Sequence, residues 1–143
     1  MIYVGYQGIG KSTLAHKIPN AIDLESGNFF VKGFRHDDWF MVYANIAHHL
    51  SNQGKIVFTS SHKQLRVYMN KIGIPFTVIF PALELKQQWI AKLKGRWEET
   101  KRDKDFKEWV NAKEKFNENI RDLSYEKKKV IITNMDYSLE KLI

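Results

Sequence analysis

The stretch Gly5-Tyr6-Gln7-Gly8-Ile9-Gly10-Lys11-Ser12 satisfies the spacing G-x-x-x-x-G-K-[ST] in full. Its surroundings suit it. Met1-Ile2-Tyr3-Val4 is a short apolar, β-favouring run, and the residues from Ser12 to Lys17 read as the start of a helix. Strand, glycine turn and helix form the context this spacing requires. The glycines let the backbone curl so that several N–H groups point inward at phosphate oxygens. The helix behind them adds the positive end of its dipole. Lys11 can reach the β- and γ-phosphates, and Ser12 can ligate Mg²⁺. The plainer reading is a glycine-rich turn that binds nothing. It needs the same residues by chance, in roughly one chain of this length in a few hundred at average residue frequencies. The stretch therefore implies a nucleoside triphosphate, with Gly5, Gly8, Ile9, Gly10, Lys11, Ser12 and Thr13 around its phosphates.

The rest of the composition narrows the setting. A chain of 143 residues suits one domain, residues 1–143, with a proper core. Apolar residues make up 43% and there is no cysteine, so disulfides and thiolate metal sites drop out. No apolar run reaches transmembrane length. A first strand at Met1 leaves no room for a leader, which makes a cytoplasmic location the expectation. The net charge is +7, and from Lys86 to Lys129 there are 14 Lys and Arg against 9 Asp and Glu. The signs are interleaved, as on a solvated helical face. A surface for polyanions is the sharper alternative.

Strand and helix signals alternate along the chain. Ala21 to Leu24, Lys55 to Thr59, Pro75 to Phe80 and Val130 to Thr133 read as further strands. Pro19 stops the first helix. Trp39, Tyr43, Ile46 and Leu50 share one face of a second, which Gly54 ends. His62 to Lys71 is a third, with Ser61 as its cap. Leu85, Trp89, Leu93 and Trp97 make a helical stripe, and Phe106, Trp109, Phe116 and Ile120 suggest another helix after a charged break. Five strands with helical crossovers predict an α/β fold with a parallel sheet.

In such a sheet ligands bind beyond the carboxyl ends of the strands. Strand two delivers Asp23 and Glu25, two apart and so on one side. Asp23 is the candidate to orient a metal and Glu25 to accept a proton from the acceptor or position it. Solvated surface acids are the plain alternative. Strand three ends in Thr59-Ser60-Ser61-His62, without the metal-binding acid a nucleotide hydrolase often places there. Arg35 and Arg66 are candidates for the acceptor side. Lys92, Arg96 and Arg102 are candidates for a mobile cover over the donor. His48-His49 has no third ligand in view and does not make a metal site.

With these residues in place, the chain resembles the P-loop kinases of small molecules, the nucleoside monophosphate kinase and shikimate kinase group, including compact phage-type nucleotide kinases. Gly5 to Ser12, the acidic end Asp23-Leu24-Glu25 of strand two, and the basic segment Lys86 to Arg102 after strand four carry the resemblance. It implies a three-layer fold with sheet order 2-3-1-4-5 and a lid-like helical insertion over residues 83–123. It implies ATP and Mg²⁺ as cofactors, Lys11, Glu25, Arg66 and Arg96 as catalytic residues, and Arg102 as a second lid arginine on the nucleotide. Ser12 and Asp23 would hold the metal, and Glu25, Arg35 and Arg66 the acceptor. The activity implied is phosphoryl transfer to a nucleoside or deoxynucleoside monophosphate. The alternatives are a kinase of nucleic-acid 5′ ends, or a nucleotide-binding regulatory protein. Thr133-Asn134-Met135-Asp136 is faintly similar to a guanine-reading motif but lacks its lysine.

Overall fold

The computed structural model describes residues 1–29 and 37–143. Strand β1 (Ile2–Gly5) leads through the glycine loop into helix α1 (Lys11–Lys17). Strand β2 (Ala21–Leu24), helix α2 (Trp39–Asn52), strand β3 (Ile56–Thr59) and helix α3 (Lys63–Ile72) follow. Strand β4 (Thr77–Pro81) leads into the long helices α4 (Lys86–Thr100) and α5 (Asp103–Ser124). Strand β5 (Lys129–Ile132) and helix α6 (Leu139–Leu142) close the chain. The five strands form one parallel sheet in the order β2-β3-β1-β4-β5, flanked by helices. This is the order that the resemblance to small-molecule kinases implied.

The order follows from where apolar surface can go. β1 pairs with β3 on one side and β4 on the other, and Ile2 and Val4 are buried with Val57, Phe58, Val78 and Ile79 of those neighbours. Strands covered on both faces read as short continuous apolar runs, as these do. Because β1 is central, the loop after Gly5 emerges in the middle of the carboxyl edge. β4 extends to Pro81, one residue past the expected end, and the N–H of Ala82 donates to Ile132 O at 2.8 Å. On α2 the buried face is Trp39, Tyr43, Ala44 and Ala47, while Ile46 is exposed. Alanine lets the helix approach the sheet closely, which turns the apolar stripe by one residue. His62, not Ser61, occupies the N-cap of α3, and no side chain caps it. Among the described residues no helix is long and apolar enough to cross a membrane.

Helix α5 is tied to α3 by a buried ion-pair network. Arg66 is 4% exposed. Its guanidinium donates to Asp122, to Glu126 at 2.7 Å and to the Ser61 carbonyl at 3.1 Å. Burial works to raise the Asp122 carboxyl, but the hydrogen bond and charge of Arg66, helped by Lys63, outweigh it and hold the group below its ordinary 3.8. Removing one partner of a buried pair leaves uncompensated charge, so Arg66→Ala is expected to cost about 3 kcal/mol in urea unfolding. A carboxyl depressed by folding contributes stability above its unfolded pKa and loses it as the pH falls through the folded value. Wild type should therefore lose this contribution below about pH 4, and Arg66→Ala should show a flatter acid limb.

Candidate active site

A cleft of about 920 Å³ opens over the carboxyl edge of the sheet, between the glycine loop, the ends of β2 and β3, and α5. The loop's own conformation requires glycine at two places. Gly8 has φ 88° and Gly10 φ 104°, in the left-handed region. Gly8 is also crowded: a Cβ there would stand 2.9 Å from Leu93 Cδ2 and 3.1 Å from Trp89 Nε1.

The back of the loop is held by side-chain donors from two other elements. Trp89 on α4, wholly buried, donates its indole N–H to Gln7 O at 2.9 Å. Tyr137, after β5, donates its hydroxyl to Ile9 O at 2.8 Å. The two rings stack at 5.9 Å, and the Lys92 ammonium lies over both. Burial pushes the Tyr137 phenol up to about 12, so it stays a donor at ordinary pH. The carbonyls of Gln7 and Ile9 are thus bonded on one side, and the Tyr6 N–H donates to Ile79 O at 2.9 Å.

Lys11 sits at the hub. Its ammonium donates to Gly5 O at 3.0 Å and Thr59 O at 3.5 Å, joining the ends of β1 and β3. Burial pulls its pKa below the ordinary lysine value, and the charges of Asp23, Glu108 and Glu25 pull it back. Asp23 faces the opposite balance: burial raises its carboxyl, and Lys11 opposes the rise. Glu108 on α5 is raised chiefly by burial. Glu25 is held low, first by the hydrogen bond from Lys104 at 2.8 Å. Tyr43 bridges the two acceptor-side strands. Its hydroxyl donates to Leu24 O and accepts from Ser60 N at 2.9 Å. Ser60 Oγ in turn meets His62 Nδ1 at 2.7 Å.

The expected site residues distribute as follows. Gly5, Gly8, Gly10, Lys11, Ser12, Asp23, Glu25, Arg66 and Arg96 all line the cleft. Ile9 instead packs its side chain over Gly5, and Thr13 is exposed outside the lining. Arg102 also lies outside it, donating to the buried Asp105 at 2.9 Å. Arg96 lies 3.3 Å from the same carboxylate. The guanidinium nitrogens Nε, Nη1 and Nη2 of Arg66, a candidate for the acceptor side, each have an acceptor in Ser61 O, Glu126 and Asp122. Arg35 lies outside the described residues. Sequence reasoning missed Gln7, Glu108, Asn111, Asn119 and Tyr137. The helical spacing of Lys104, Glu108 and Asn111 was the available signal, and it reads equally as a solvated face.

The residues suit a magnesium nucleotide. The loop faces the cleft, its lysine is bonded among the described residues to backbone carbonyls alone, and Ser12 and Asp23 share the lining. No cluster of three or more metal-binding side chains occurs among the described residues. Mg²⁺ that keeps waters and takes phosphate oxygens needs only one or two protein ligands.

No protein-family model matches the chain, and no curated protein matches it. Among solved structures it is similar to the tunicamycin resistance protein of Deinococcus radiodurans. The TM-score is 0.55 and the identity 15%, covering 98% of this chain and 89% of that one. The likeness is one of fold. It is compatible with the kinase-like P-loop architecture expected from the sequence.

Two glycines separate loop geometry from general tolerance. Gly8→Ala meets both a positive φ and a 2.9 Å contact, and is expected to lower stability by about 1–3 kcal/mol. Gly95→Ala, in α4 with nothing within 4 Å, is expected to raise it by about 0.5–1 kcal/mol. Thermal unfolding of both variants checks the pair.

Proposed function

We propose that this chain is a P-loop phosphotransferase that passes the terminal phosphoryl group of Mg·ATP to an oxygen of a small acceptor. One observation carries the reading. The ammonium of Lys11 is half-buried at the hub of a cleft-lining glycine loop, bonded to carbonyls and, among the described residues, to no carboxylate. A structural lysine at such depth would be paired with an acid. This one is placed to exchange weak carbonyl bonds for phosphate oxygens. Fold likeness and sheet order support the reading.

Bound Mg·ATP would supply the phosphoryl group and metal charge on its oxygens. The chain's residues supply the rest. Loop N–H groups and Lys11 would hold the phosphates, and Ser12 and Asp23 would hold the metal. Arg96, facing the cleft from α4, adds positive charge where the transferring group sits. The α4–α5 pair covers the site and limits water, which competes with the acceptor. Glu25 stands at the mouth of the acceptor side, held by Lys104. The acceptor's nucleophile is a hydroxyl or a phosphate-monoester oxygen, the latter as in a nucleoside monophosphate.

Lys11→Ala tests this directly. Charged hydrogen bonds are worth about 1.5–3 kcal/mol each, so Mg·ATP affinity should fall by about 10- to 100-fold. ADP release should vanish. Tryptophan fluorescence gives the affinity, since Trp89 is bonded to the loop itself. Equal affinity in the variant, or none in wild type, would sink the proposal.

A further inference from the structure

The acceptor half of the cleft carries chemistry of its own. Six cations and six carboxylates line the cleft, so the lining as a whole is neutral. Beyond Lys11, each of those cations already has an acid. Arg66 and Lys63 meet Asp122, Arg96 meets Asp105, Lys104 meets Glu25 and Lys107 meets Asp103. A monophosphate acceptor would bring about two further negative charges beside those of the donor. Among the described residues no unpaired cation lines the acceptor side to receive them.

Helix α5 offers neutral hydrogen-bonding groups instead. Asn111 Oδ1 accepts from Gln7 Nε2 at 3.0 Å and from Asn119 Nδ2 at 2.8 Å. The Tyr6 hydroxyl is bonded to Asn119. These bonds fix both amides, and among the described residues the Asn111 NH₂ group has no partner. One turn before Asn111, Glu108 Oε2 is buried and has no hydrogen-bond partner among the described residues. A buried acceptor without a donor costs about 1–3 kcal/mol, and native folds satisfy most such atoms. A ligand hydroxyl supplies the missing donor without adding charge. Glu108 also lies close enough to Lys11 for each to act on the other, on the side where the phosphoryl group would arrive.

Resting on the phosphotransferase reading above, we infer that the acceptor is an uncharged, polyhydroxylated molecule, a sugar or a nucleoside. Its reacting hydroxyl donates to Glu108, and its neighbouring hydroxyls meet Asn111 and Asn119. The hydroxyl oxygen bonds to the terminal phosphorus. The bond from that phosphorus to its bridging oxygen breaks, and its electron pair leaves on the nucleoside diphosphate. The hydroxyl proton passes to the Glu108 carboxylate and then to solvent. A carboxylate so placed suits an acceptor that brings a proton and not one that brings a charge.

Matched acceptors test this. The whole chain with Mg·ATP is offered adenosine and AMP, thymidine and its 5′-monophosphate, glucosamine and its 6-phosphate. ADP release and phosphorus NMR of the product are followed, and acceptor binding is measured alone by saturation-transfer NMR. At least one uncharged member should be bound and phosphorylated, preferred over its phosphorylated partner by about tenfold or more. The sugar and nucleoside arms separate the two sources. Glu108→Gln, which keeps shape, should lower kcat by about 10²- to 10⁴-fold. Acceptor binding and Mg·ATP affinity should change little, a split that a structural role would not produce. Preference for the monophosphates, no response to either class, or normal turnover by Glu108→Gln each overturns the inference. If wild type binds Mg·ATP and Lys11→Ala does not, such a failure falls on the acceptor assignment alone.

Discussion

Everything at the carboxyl edge depends on the contact between the back of the glycine loop and the helices that arrive late in the chain. Gly8 lies so close to Trp89 and Leu93 that a methyl group would not fit, and the carbonyls of Gln7 and Ile9 are taken by Trp89 and Tyr137. A glycine loop alone is the most permissive backbone in the chain. Here that freedom is removed by partners 82 and 128 residues away in sequence. Without them the loop would spend binding energy on ordering itself. With them the ordering is done when the chain folds, and the cost is met by burial of Trp89, Leu93 and the strand residues beneath.

The same helices carry the acids that settle the charge of the cleft. Asp122 of α5 and Glu126 just after it neutralise Arg66, and Asp105 draws in Arg96 and Arg102 at the α4–α5 turn. Lys104 reaches across the mouth to Glu25. Buried or half-buried charges in a medium of low dielectric must be paired, whatever the function. Among the described residues Lys11 departs from this rule, with carbonyl partners and no carboxylate. That departure sets it apart from the ion pairs around it.

The strand, glycine loop and helix were legible in the sequence because their rules are local. They fall within Ile2 to Lys17, and the alternation of apolar runs with helical stripes was enough to predict a parallel sheet, while its order came from the resemblance. Trp89 was visible as part of a core stripe, yet nothing local says that its N–H meets the loop. In the sequence Arg66 is a candidate for the acceptor side or a solvated surface residue, and its two acids cannot be seen because they lie 56 and 60 residues further on. Glu108 looked like part of a solvated face. Its inward direction depends on the packing of Ala112, Phe116 and Ile120 beyond it and on the non-helical turn at Lys115 within α5.

This division has a physical basis. Phosphate recognition uses backbone N–H groups, and backbone geometry is dictated by neighbours in sequence, so glycines at fixed spacing announce it. The other side of the cleft is built from side chains of β2, β3 and α5, whose separation in space is set by helix packing. Tyr43 fixes one part of that separation by joining Leu24 to Ser60, and Arg66 fixes another by joining α3 to α5. Both struts are buried polar groups, costly if half satisfied and rigid when complete. Their rigidity sets how β2 and α5 stand to each other, and with it where the Asp23 and Glu108 carboxylates, which line the same cleft and both act on Lys11, place their charge.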